Sequence, residues 1–360
     1  MNASTTPART ALVLGATGGI GGAVARGLAR DGWRVRALTR DAHAARAAHR
    51  GPERLDWIEG DAMTRADVVV AAEGAEVLVH AVNPPGYRRW DELVLPMIDN
   101  TIAAARAAGG ARVALPGTVY NYDPAAAPVI DEATPQGATT RKGRIRVELE
   151  RRLARAAPEV PSLVLRAGDF FGPGARASWF SQAMVKPGRP VARVTSLAPG
   201  VPHAYAYLPD LAEAFVRLID GHERLRPVER AQFPGHWDAT GHDVLDAIRR
   251  VVGREVLERA FPWWLMRLLA PFGGFAREAV EIEPVWRHPM RLDGARLAAL
   301  LDEVPHTPLD EAVRRTLEGL GALGGNPARR VTPRSRAATA RAPGTRSAAP
   351  PSGRPRRRRA

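Results

Sequence analysis

The 360-residue chain contains no cysteine and only two lysines, Lys142 and Lys186. The absence of cysteine excludes a disulfide framework, a thiolate metal site and a cysteine nucleophile. The scarcity of lysine leaves two candidates for any chemistry that requires this side chain. The positive charge is therefore almost entirely arginine, which stays protonated and binds carboxylates or phosphates as a planar fork. With 45% hydrophobic and 25% charged residues, the composition is that of a soluble globular protein.

Acidic residues are missing from one part of the chain altogether. The segment 325–360 holds eleven arginines and no aspartate or glutamate, whereas the remaining 324 residues hold 41 basic and 38 acidic side chains. The formal net charge of +14 therefore falls to +3 outside this segment. Because Pro, Ser, Ala and Arg cannot bury a core, we expect residues 324–360 to form a disordered tail. The tail also lacks aromatic residues for base stacking, so we expect no specific nucleic-acid partner.

Signals for a membrane or a metal partner are also missing. Residues 10–25 are uncharged, but they are too few and too rich in glycine to span a bilayer, and no targeting segment is evident. The nine histidines are scattered, with no pair at metal-ligand spacing in a helical context. We therefore expect a cytoplasmic protein without a membrane partner and without a metal site.

Short apolar runs alternate with amphipathic segments along the chain. The predicted strands are residues 11–14, 33–38, 55–58, 77–82, 112–115 and 162–165. The predicted helices are residues 20–30, 93–108, 144–157, 211–219 and 262–270, and residues 187–202 are typical of a loop. Strands that alternate with helices at this spacing indicate βαβ units, and hence an α/β fold with a parallel sheet covered on both faces.

A glycine-rich turn follows the first predicted strand and opens the first predicted helix. Its sequence runs Gly15-Ala16-Thr17-Gly18-Gly19-Ile20-Gly21. Glycines at these places permit a tight turn and let the backbone approach a pyrophosphate, whose charge then lies at the helix N-terminus. The position directly between a strand and a helix is what dinucleotide binding requires. We therefore expect Gly15, Thr17, Gly18, Gly19, Ile20 and Gly21 to contact a dinucleotide cofactor.

The spacing G-x-x-G-x-x-G and several later segments resemble the short-chain dehydrogenase/reductase superfamily in its extended or atypical branch, the NAD-dependent epimerase/dehydratase type. The segments that carry the resemblance are Gly60-Asp61, Ala81-Val82-Asn83-Pro84, Gly117-Thr118-Val119-Tyr120, Arg166 to Gly174, and Tyr207-Leu208-Pro209-Asp210. They stand in the family's order over roughly residues 10–323.

This resemblance implies a Rossmann fold, a doubly wound parallel sheet with a smaller C-terminal substrate domain. We expect the NAD(P)-binding domain over residues 8–260, with substrate-domain loops after about 172, and a smaller substrate or lid region over 261–323. It further implies that Asp61 and Ala62 hold the adenine. Ala81, Val82 and Asn83 would line the nicotinamide side.

The end of the second predicted strand selects between the two nicotinamide cofactors. An acidic side chain there would bind the ribose hydroxyl of NAD, whereas arginine accommodates the extra phosphate of NADP. The chain has Thr39 and Arg40 at this point, a hydroxyl and a charged fork. Asp41 comes slightly late for the ribose and suits a helix N-cap. The sequence therefore favours NADP(H), with NAD(H) as the alternative.

The superfamily's catalytic Tyr-x-x-x-Lys pair is absent. The residues four places after the five tyrosines are Asp91, Pro124, Ala126, Pro209 and Leu211. Three alignments of the corresponding segment remain open, and they place Ala138 and Lys142, Thr140 and Arg144, or Lys142 and Arg146 at the two positions. The position of the family's serine holds Pro116, which leaves Thr118 as the nearest hydroxyl.

Two interpretations follow. In the first, the chain is an epimerase/dehydratase-like oxidoreductase that transfers hydride to or from a carbonyl or alcohol carbon of a small molecule, and Thr118, Tyr120 or Lys142 serves the substrate oxygen. The basic cluster around Lys142 (Arg141, Arg144 and Arg146) would then lower the lysine pKa or clamp an anion. In the second, the chain binds NADP(H) without catalysis, as a redox sensor or regulator. The first is favoured, and a homodimer is compatible with both.

Overall fold

The fold is that of a computed structural model, which describes residues 9–84, 86 and 88–323. Its strands are β1 Thr10–Leu14, β2 Arg34–Thr39, β3 Asp56–Glu59, β4 Val77–His80, β5 Arg112–Gly117, β6 Val129–Ile130, β7 Ser162–Arg166, β8 Asp169–Phe171, β9 Arg193–Ser196, β10 His203–Tyr207, β11 Val228–Gln232, β12 His236–Asp238, β13 Leu257–Ala260 and β14 Arg291–Leu292. The expected tail, residues 324–360, lies outside the described residues.

Helices separate strands β1 to β5 one by one and continue to residue 319. They are α1 Gly19–Arg30, α2 Ala42–Ala48, α3 Arg65–Ala71, α4 Trp90–Ala107, α5 Arg141–Ala156, α6 Leu208–Asp220, α7 Asp243–Val252, α8 Trp263–Leu269, α9 Gly274–Arg287, α10 Ala295–Leu300 and α11 Leu309–Gly319. A short 3₁₀ turn covers Val119–Asn121, and a π-helical turn covers Phe180–Met184.

Seven parallel strands form the central sheet in the order β11-β7-β5-β4-β1-β2-β3. Every residue of β1, β4 and β7 is buried, as expected for strands that are covered on both faces. One face packs on α1 and α6 through residues such as Leu28 and Phe215. The other packs on α4 and α5 through residues such as Ile98 and Leu149. The doubly wound Rossmann arrangement is thereby confirmed.

The seventh strand, β11, was not predicted, because its sequence contains Glu229 and Arg230. Glu229 is fully buried, and burial alone would raise its pKa. The guanidinium group of Arg296 donates to both carboxylate oxygens at 2.7 and 2.9 Å and holds that pKa below its ordinary value. A partner 67 positions away thus converts a charged segment into an edge strand.

Beyond residue 166 the chain adds small sheets to the carboxyl edge of the central one. Strands β12, β10 and β8 form one of them, and β13 pairs with β9, which lies inside the segment 187–202 that was expected to be a loop. The apolar segment 262–270 is helical as α8, with Trp263 buried and Trp264 exposed. The expected boundary at residue 260 remains a prediction.

Helix α5 is fixed to the sheet by a buried ion pair. Arg166, at the end of β7, donates to both carboxylate oxygens of Glu150 at 2.9 and 3.0 Å, and both side chains are at most 3% exposed. Burial alone would raise the pKa of Glu150, but the Arg166 guanidinium holds it below its ordinary value. Asn121 donates a further bond to Glu150 at 2.9 Å. The pair therefore joins α5, β7 and the turn after β5.

We expect Arg166→Met to lower the free energy of unfolding by about 3–5 kcal/mol, because Glu150 would remain as an uncompensated buried charge. Urea denaturation at pH 7 measures this loss. The double variant Glu150→Gln, Arg166→Met should recover part of it. Arg155→Met, which removes an exposed partner of Glu148, is the matched control and should cost less than about 1 kcal/mol. Equal losses in Arg166→Met and Arg155→Met would contradict the assignment.

Candidate functional site

The glycine turn between β1 and α1 leaves no room for side chains at two places. A Cβ atom on Gly15, which has φ of +89°, would lie 2.5 Å from the carbonyl oxygen of Ala81. A Cβ atom on Gly21 would lie 2.3 Å from the carbonyl oxygen of Gly15. Thr17 and Gly18 are exposed at the tip, where α1 begins. The turn is therefore a bare backbone cradle at a helix N-terminus, which fits a pyrophosphate.

The end of β2 lies beside this cradle, since β1 and β2 are parallel neighbours. Arg40 is exposed and Thr39 is half-buried. Asp41 caps α2, with its carboxylate accepting the backbone N–H of Ala44 at 2.7 Å. The carboxylate of Asp41 is thus engaged by its own helix, which leaves Arg40 as the charged side chain at this strand end.

The ends of β3 and β4 carry the residues expected around the adenine and nicotinamide. The carboxylate of Asp61 accepts the backbone N–H of Met63 at 2.9 Å. The carbonyl of Ala62 accepts from Asn100 at 3.0 Å.

At β4, Ala81 continues the sheet with a backbone bond to Leu14 at 2.9 Å. Val82 packs on the apolar cluster under α4 and α5, and Asn83 is exposed. All these positions therefore lie at the carboxyl edge of the sheet, where ligands of doubly wound folds bind.

The turn after β5 holds Thr118 and Tyr120. The hydroxyl oxygen of Thr118 accepts the backbone N–H of Tyr120 at 3.3 Å, and this hydroxyl donates to Asn121 at 3.4 Å. Both side chains are half-buried, and the Tyr120 ring lies 6.4 Å from that of Trp90. The turn packs against α5. The backbone of this turn lies against the first turn of α5, where a Cβ atom on Gly143 would lie 2.2 Å from the carbonyl oxygen of Tyr120.

Lys142 lies in that first turn of α5 and is fully buried. Its Nζ donates to Glu281 at 2.6 Å and also to Glu278, and its backbone N–H donates to the second oxygen of Glu281 at 2.6 Å. Both glutamates belong to α9. Arg141 contacts Glu278 and also Asp91, each at 3.4 Å. Two members of the basic cluster predicted from the sequence, Arg141 and Lys142, are therefore paired with carboxylates.

The burial of α5 distinguishes the three alignments that the sequence left open. Lys142 and Arg146 both lie on the buried face of the helix, whereas Arg144 is exposed and donates to the carbonyl of Thr139 at 2.8 Å. Thr140 is the N-cap of α5, with its hydroxyl accepting the backbone N–H of Gly143 at 3.0 Å. Ala138 lies before α5 begins, so it shares no helix face with Lys142. Of the three pairs, Lys142 and Arg146 is therefore the one that places both side chains on the buried face of α5.

Arg146 connects α5 to the end of β4. It donates to the side-chain oxygen of Asn83 at 2.9 Å, and its guanidinium lies 4.8 Å from the centre of the Trp90 ring. His80, the last residue of β4, is buried and contacts the hydroxyl of Thr101 at 2.8 Å. Burial, and secondarily the charge of Arg146, lowers the pKa of His80 to about 3. His80 is therefore neutral in the folded chain at ordinary pH.

A second group of polar side chains lies beyond β7. His203 on β10 contacts Asp169 on β8 at 2.8 Å and stacks on the Trp286 ring at 3.9 Å with an interplanar angle of 12°. Trp286 belongs to α9, the same helix that supplies Glu278 and Glu281. Helix α9 therefore covers both the Lys142 group and the His203 group.

Sequence reasoning missed Glu278 and Glu281. Their spacing of three residues is typical of a solvated helix face, and they lie 136 and 139 positions from Lys142. No local pattern indicated that this face is turned toward α5. Arg146 was recognised only as one of three alternatives.

One group of possible metal ligands occurs among the described residues, namely Glu76, His222 and Glu223, with ligand atoms within 4.8 Å of one another. Arg9 donates to Glu76 at 3.3 Å, and burial, followed by the charges of Arg9 and Arg112, lowers the pKa of His222. Glu76 directly precedes β4, so the group lies at the opposite edge of the sheet from the cradle. In the described part of the chain, no helix is long and apolar enough to cross a membrane.

Comparison with known proteins agrees with this geometry. Residues 15–151 match the NAD(P)H-binding family model. A 3-diazoavenalumate denitrifying reductase from a Streptomyces species is 33% identical over 183 residues, which cover 45% of this chain and 57% of that protein.

The fold is similar to that of solved epimerases. The UDP-glucuronic acid 4-epimerase of Bacillus cereus, solved with UDP-glucuronic acid and NAD, matches with a TM-score of 0.65 and 14% identity over 86% of this chain and 98% of its own. The UDP-glucose 4-epimerase of Bifidobacterium longum, solved with NAD+ and UDP, matches with a TM-score of 0.64 and 15% identity over 86% and 97%. The seven-stranded parallel sheet of this chain is thus similar in fold to that of these solved epimerases.

The depressed pKa of His80 makes stability depend on pH in a defined direction. Below about pH 6.5, His80 binds a proton in the unfolded chain but stays neutral in the folded chain. Its contribution to the free energy of unfolding is therefore fully present above pH 6.5 and is lost as the pH falls toward about 3. We expect a loss of about 2 kcal/mol between pH 7 and pH 5 from this group. His80→Asn should flatten the pH dependence of urea unfolding by that amount, whereas His43→Asn, at an exposed position, should leave it unchanged. Equal slopes in the two variants would refute the buried neutral His80.

Proposed function

We propose that this chain is an NADP(H)-dependent oxidoreductase of the extended short-chain dehydrogenase/reductase type, acting on a carbonyl or alcohol carbon of a small molecule. The match of residues 15–151 to the NAD(P)H-binding family model and the similarity of the fold to that of solved epimerases support the proposal. The observation that carries the proposal is the position of Lys142. It lies on the buried face of α5, one turn before Arg146, which contacts Asn83 at the end of β4.

The cofactor's place follows from the backbone cradle and the strand ends. Gly15, Thr17, Gly18, Gly19, Ile20 and Gly21 would hold the pyrophosphate. Arg40 would pair with the ribose phosphate of NADP(H), assisted by the hydroxyl of Thr39. Asp61 and Ala62 would flank the adenine, and Ala81, Val82 and Asn83 would flank the nicotinamide. When bound, NADPH supplies a hydride to the substrate carbon.

Lys142 provides the matching proton in this scheme. Its Nζ gives a proton to the substrate oxygen as the carbonyl becomes an alcohol. The carboxylates of Glu278 and Glu281, which are 14% and 18% exposed, would then pass a proton from solvent water to the neutral amine. Lysine can do this because it exchanges a proton, whereas arginine stays protonated throughout. Thr118 and Tyr120 lie in the turn that packs against α5, and their hydroxyl groups would orient the same oxygen.

Arg146 has a positioning role in the proposal. Its charge lies beside Asn83 and Trp90, at the place where the superfamily pattern puts a lysine. A permanent positive charge there would keep Asn83 in place beside the nicotinamide, and it disfavours protonation of His80. The proton for the substrate therefore comes from Lys142 rather than from the neighbouring histidine.

We expect Lys142→Arg to retain the fold and NADPH affinity but to lower kcat about 100-fold or more, because arginine keeps the ion pairs and cannot release a proton. Steady-state oxidation of NADPH with an aldehyde substrate, together with the melting temperature, measures both effects. Lys186→Arg is the control, since Lys186 is the other lysine and is exposed. Full turnover in Lys142→Arg would remove Lys142 from the mechanism.

We expect Arg40→Asp to weaken NADPH binding at least tenfold, because a charge-assisted bond to the phosphate is replaced by repulsion. The variant should then bind NADH at least as tightly as NADPH. Quenching of tryptophan fluorescence during titration with each cofactor gives the two dissociation constants.

Arg46→Asp introduces the same charge change on the exposed side of α2 and should alter the ratio less than twofold. An Arg40→Asp variant that keeps its preference for NADPH would overturn the cofactor assignment.

A catalytically silent NADP(H)-binding sensor is the second candidate. The observation that favours it is the complete burial of Lys142 between Glu278 and Glu281, which withholds the ammonium group from solvent. In that case α9 would report cofactor binding at Arg146 through its contacts with α5. Tight NADPH binding without turnover over a broad panel of aldehydes and ketones would select this candidate over the enzyme.

A further inference from the structure

A cavity of about 400 Å³ opens between β9, the two residues before α8, the first turn of α9 and the segment after β8. Its walls include the side chains of Trp179, Phe261, Pro262 and Phe275, with Gln182 and Thr195 as the polar contributors. This volume lies in the range of small-molecule sites. None of the residues that line it carries a charge.

Aromatic rings dominate the cavity wall. The Trp179 ring lies 6.0 Å from Phe261 at an interplanar angle of 89° and 5.8 Å from Phe275 at 44°. Behind it, the rings of Trp263 and Trp286 each lie 6.2 Å away. Trp179 is 6% exposed, and its neighbours hold it on several sides. Such an arrangement presents fixed ring faces and edges to an incoming planar group.

The cavity adjoins the Lys142 group through α9. Phe275 lines the cavity, and Glu278, one helical turn further along, contacts the Nζ of Lys142. The segment after β8 provides a second connection. A Cβ atom on Gly19 in the cofactor cradle would lie 3.2 Å from the carbonyl oxygen of Gly174, and Trp179 lies five residues further along that segment. The cavity therefore shares helix α9 with the carboxylate partners of Lys142, and it shares the segment after β8 with Gly174, which lies against the cofactor cradle.

We propose that this cavity binds the aromatic portion of the substrate, so that the chain acts on carbonyl compounds or alcohols that carry an uncharged aromatic ring system. The inference rests on the proposed function and specifies the substrate class of the same site. A nucleoside diphosphate would bring two negatively charged phosphates, which arginine or lysine side chains recognise. A cavity lined by rings, proline and two neutral polar groups offers those phosphates no partner.

Binding is tested first, on the full chain loaded with NADP+. The probe is 2-naphthol, and its affinity is read from quenching of tryptophan fluorescence. Phe275→Ala should weaken it about five- to tenfold, because one wall of the aromatic site is lost. Phe275 is 45% exposed, so its truncation leaves no buried void.

The matched control is Phe272→Ala. Phe272 is 86% exposed, lies three residues before Phe275 and does not line the cavity. Its truncation should change the affinity less than twofold. Equal effects of the two variants, or tighter binding of UDP-glucose than of 2-naphthol by the wild-type chain, would overturn the aromatic assignment.

Turnover separates failure of this inference from failure of the proposed function. The chain should reduce 2-naphthaldehyde with a KM at least tenfold below that for propanal, and Phe275→Ala should raise the first KM without changing the second. Equal KM values for the two aldehydes would overturn the aromatic site while leaving the oxidoreductase intact. Reduction of neither aldehyde in the presence of bound NADPH would overturn the oxidoreductase, and the 2-naphthol titration then decides on the cavity.

Discussion

Burying Glu150 against Arg166 fixes how α5 lies over the ends of β5 and β7. The pair joins three elements, because Arg166 Nη1 also donates to the carbonyl of Thr118 at 2.6 Å and Asn121 donates to Glu150. With Glu150 held in this way, the positions one and two turns earlier, Arg146 and Lys142, lie on the same buried face of α5. The charges that define the candidate site therefore depend on one ion pair that takes no part in the chemistry.

Helix α9 provides the side chains that contact this part of α5 from the other side. Its buried face brings Glu278 and Glu281 to Lys142, places Trp286 on His203, and extends at its first turn to Phe275 in the aromatic cavity. One helix therefore contacts Lys142, the Asp169–His203 pair and the aromatic cavity. A change in the position of α9 would alter all three together, so occupation of the cavity would change the surroundings of Lys142.

The sequence alone predicted those features whose signal lies in neighbouring residues. The glycine turn, the buried strands and the N-cap role of Asp41 each follow from neighbouring residues, and a count of tyrosines and lysines was enough to exclude the usual catalytic pair. Contacts between residues that are far apart in the chain could not be predicted from it. Strand β11 was not predicted, because the charge of Glu229 is compensated by the distant Arg296. The spacing of Glu278 and Glu281 resembled that of a solvated helix face. The alignment that pairs Lys142 with Arg146 could be chosen only once the burial of α5 was known.

The central claim is that hydride and proton meet at the substrate between the nicotinamide side of β4 and Lys142. Incubating the full chain with 2-naphthaldehyde and NADPH that carries two deuterium atoms at C4 of the nicotinamide, followed by mass spectrometry of the isolated alcohol, tests this claim most directly. The account predicts an alcohol with one deuterium at its carbinol carbon. An alcohol without deuterium, or no alcohol despite saturating NADPH, would contradict it.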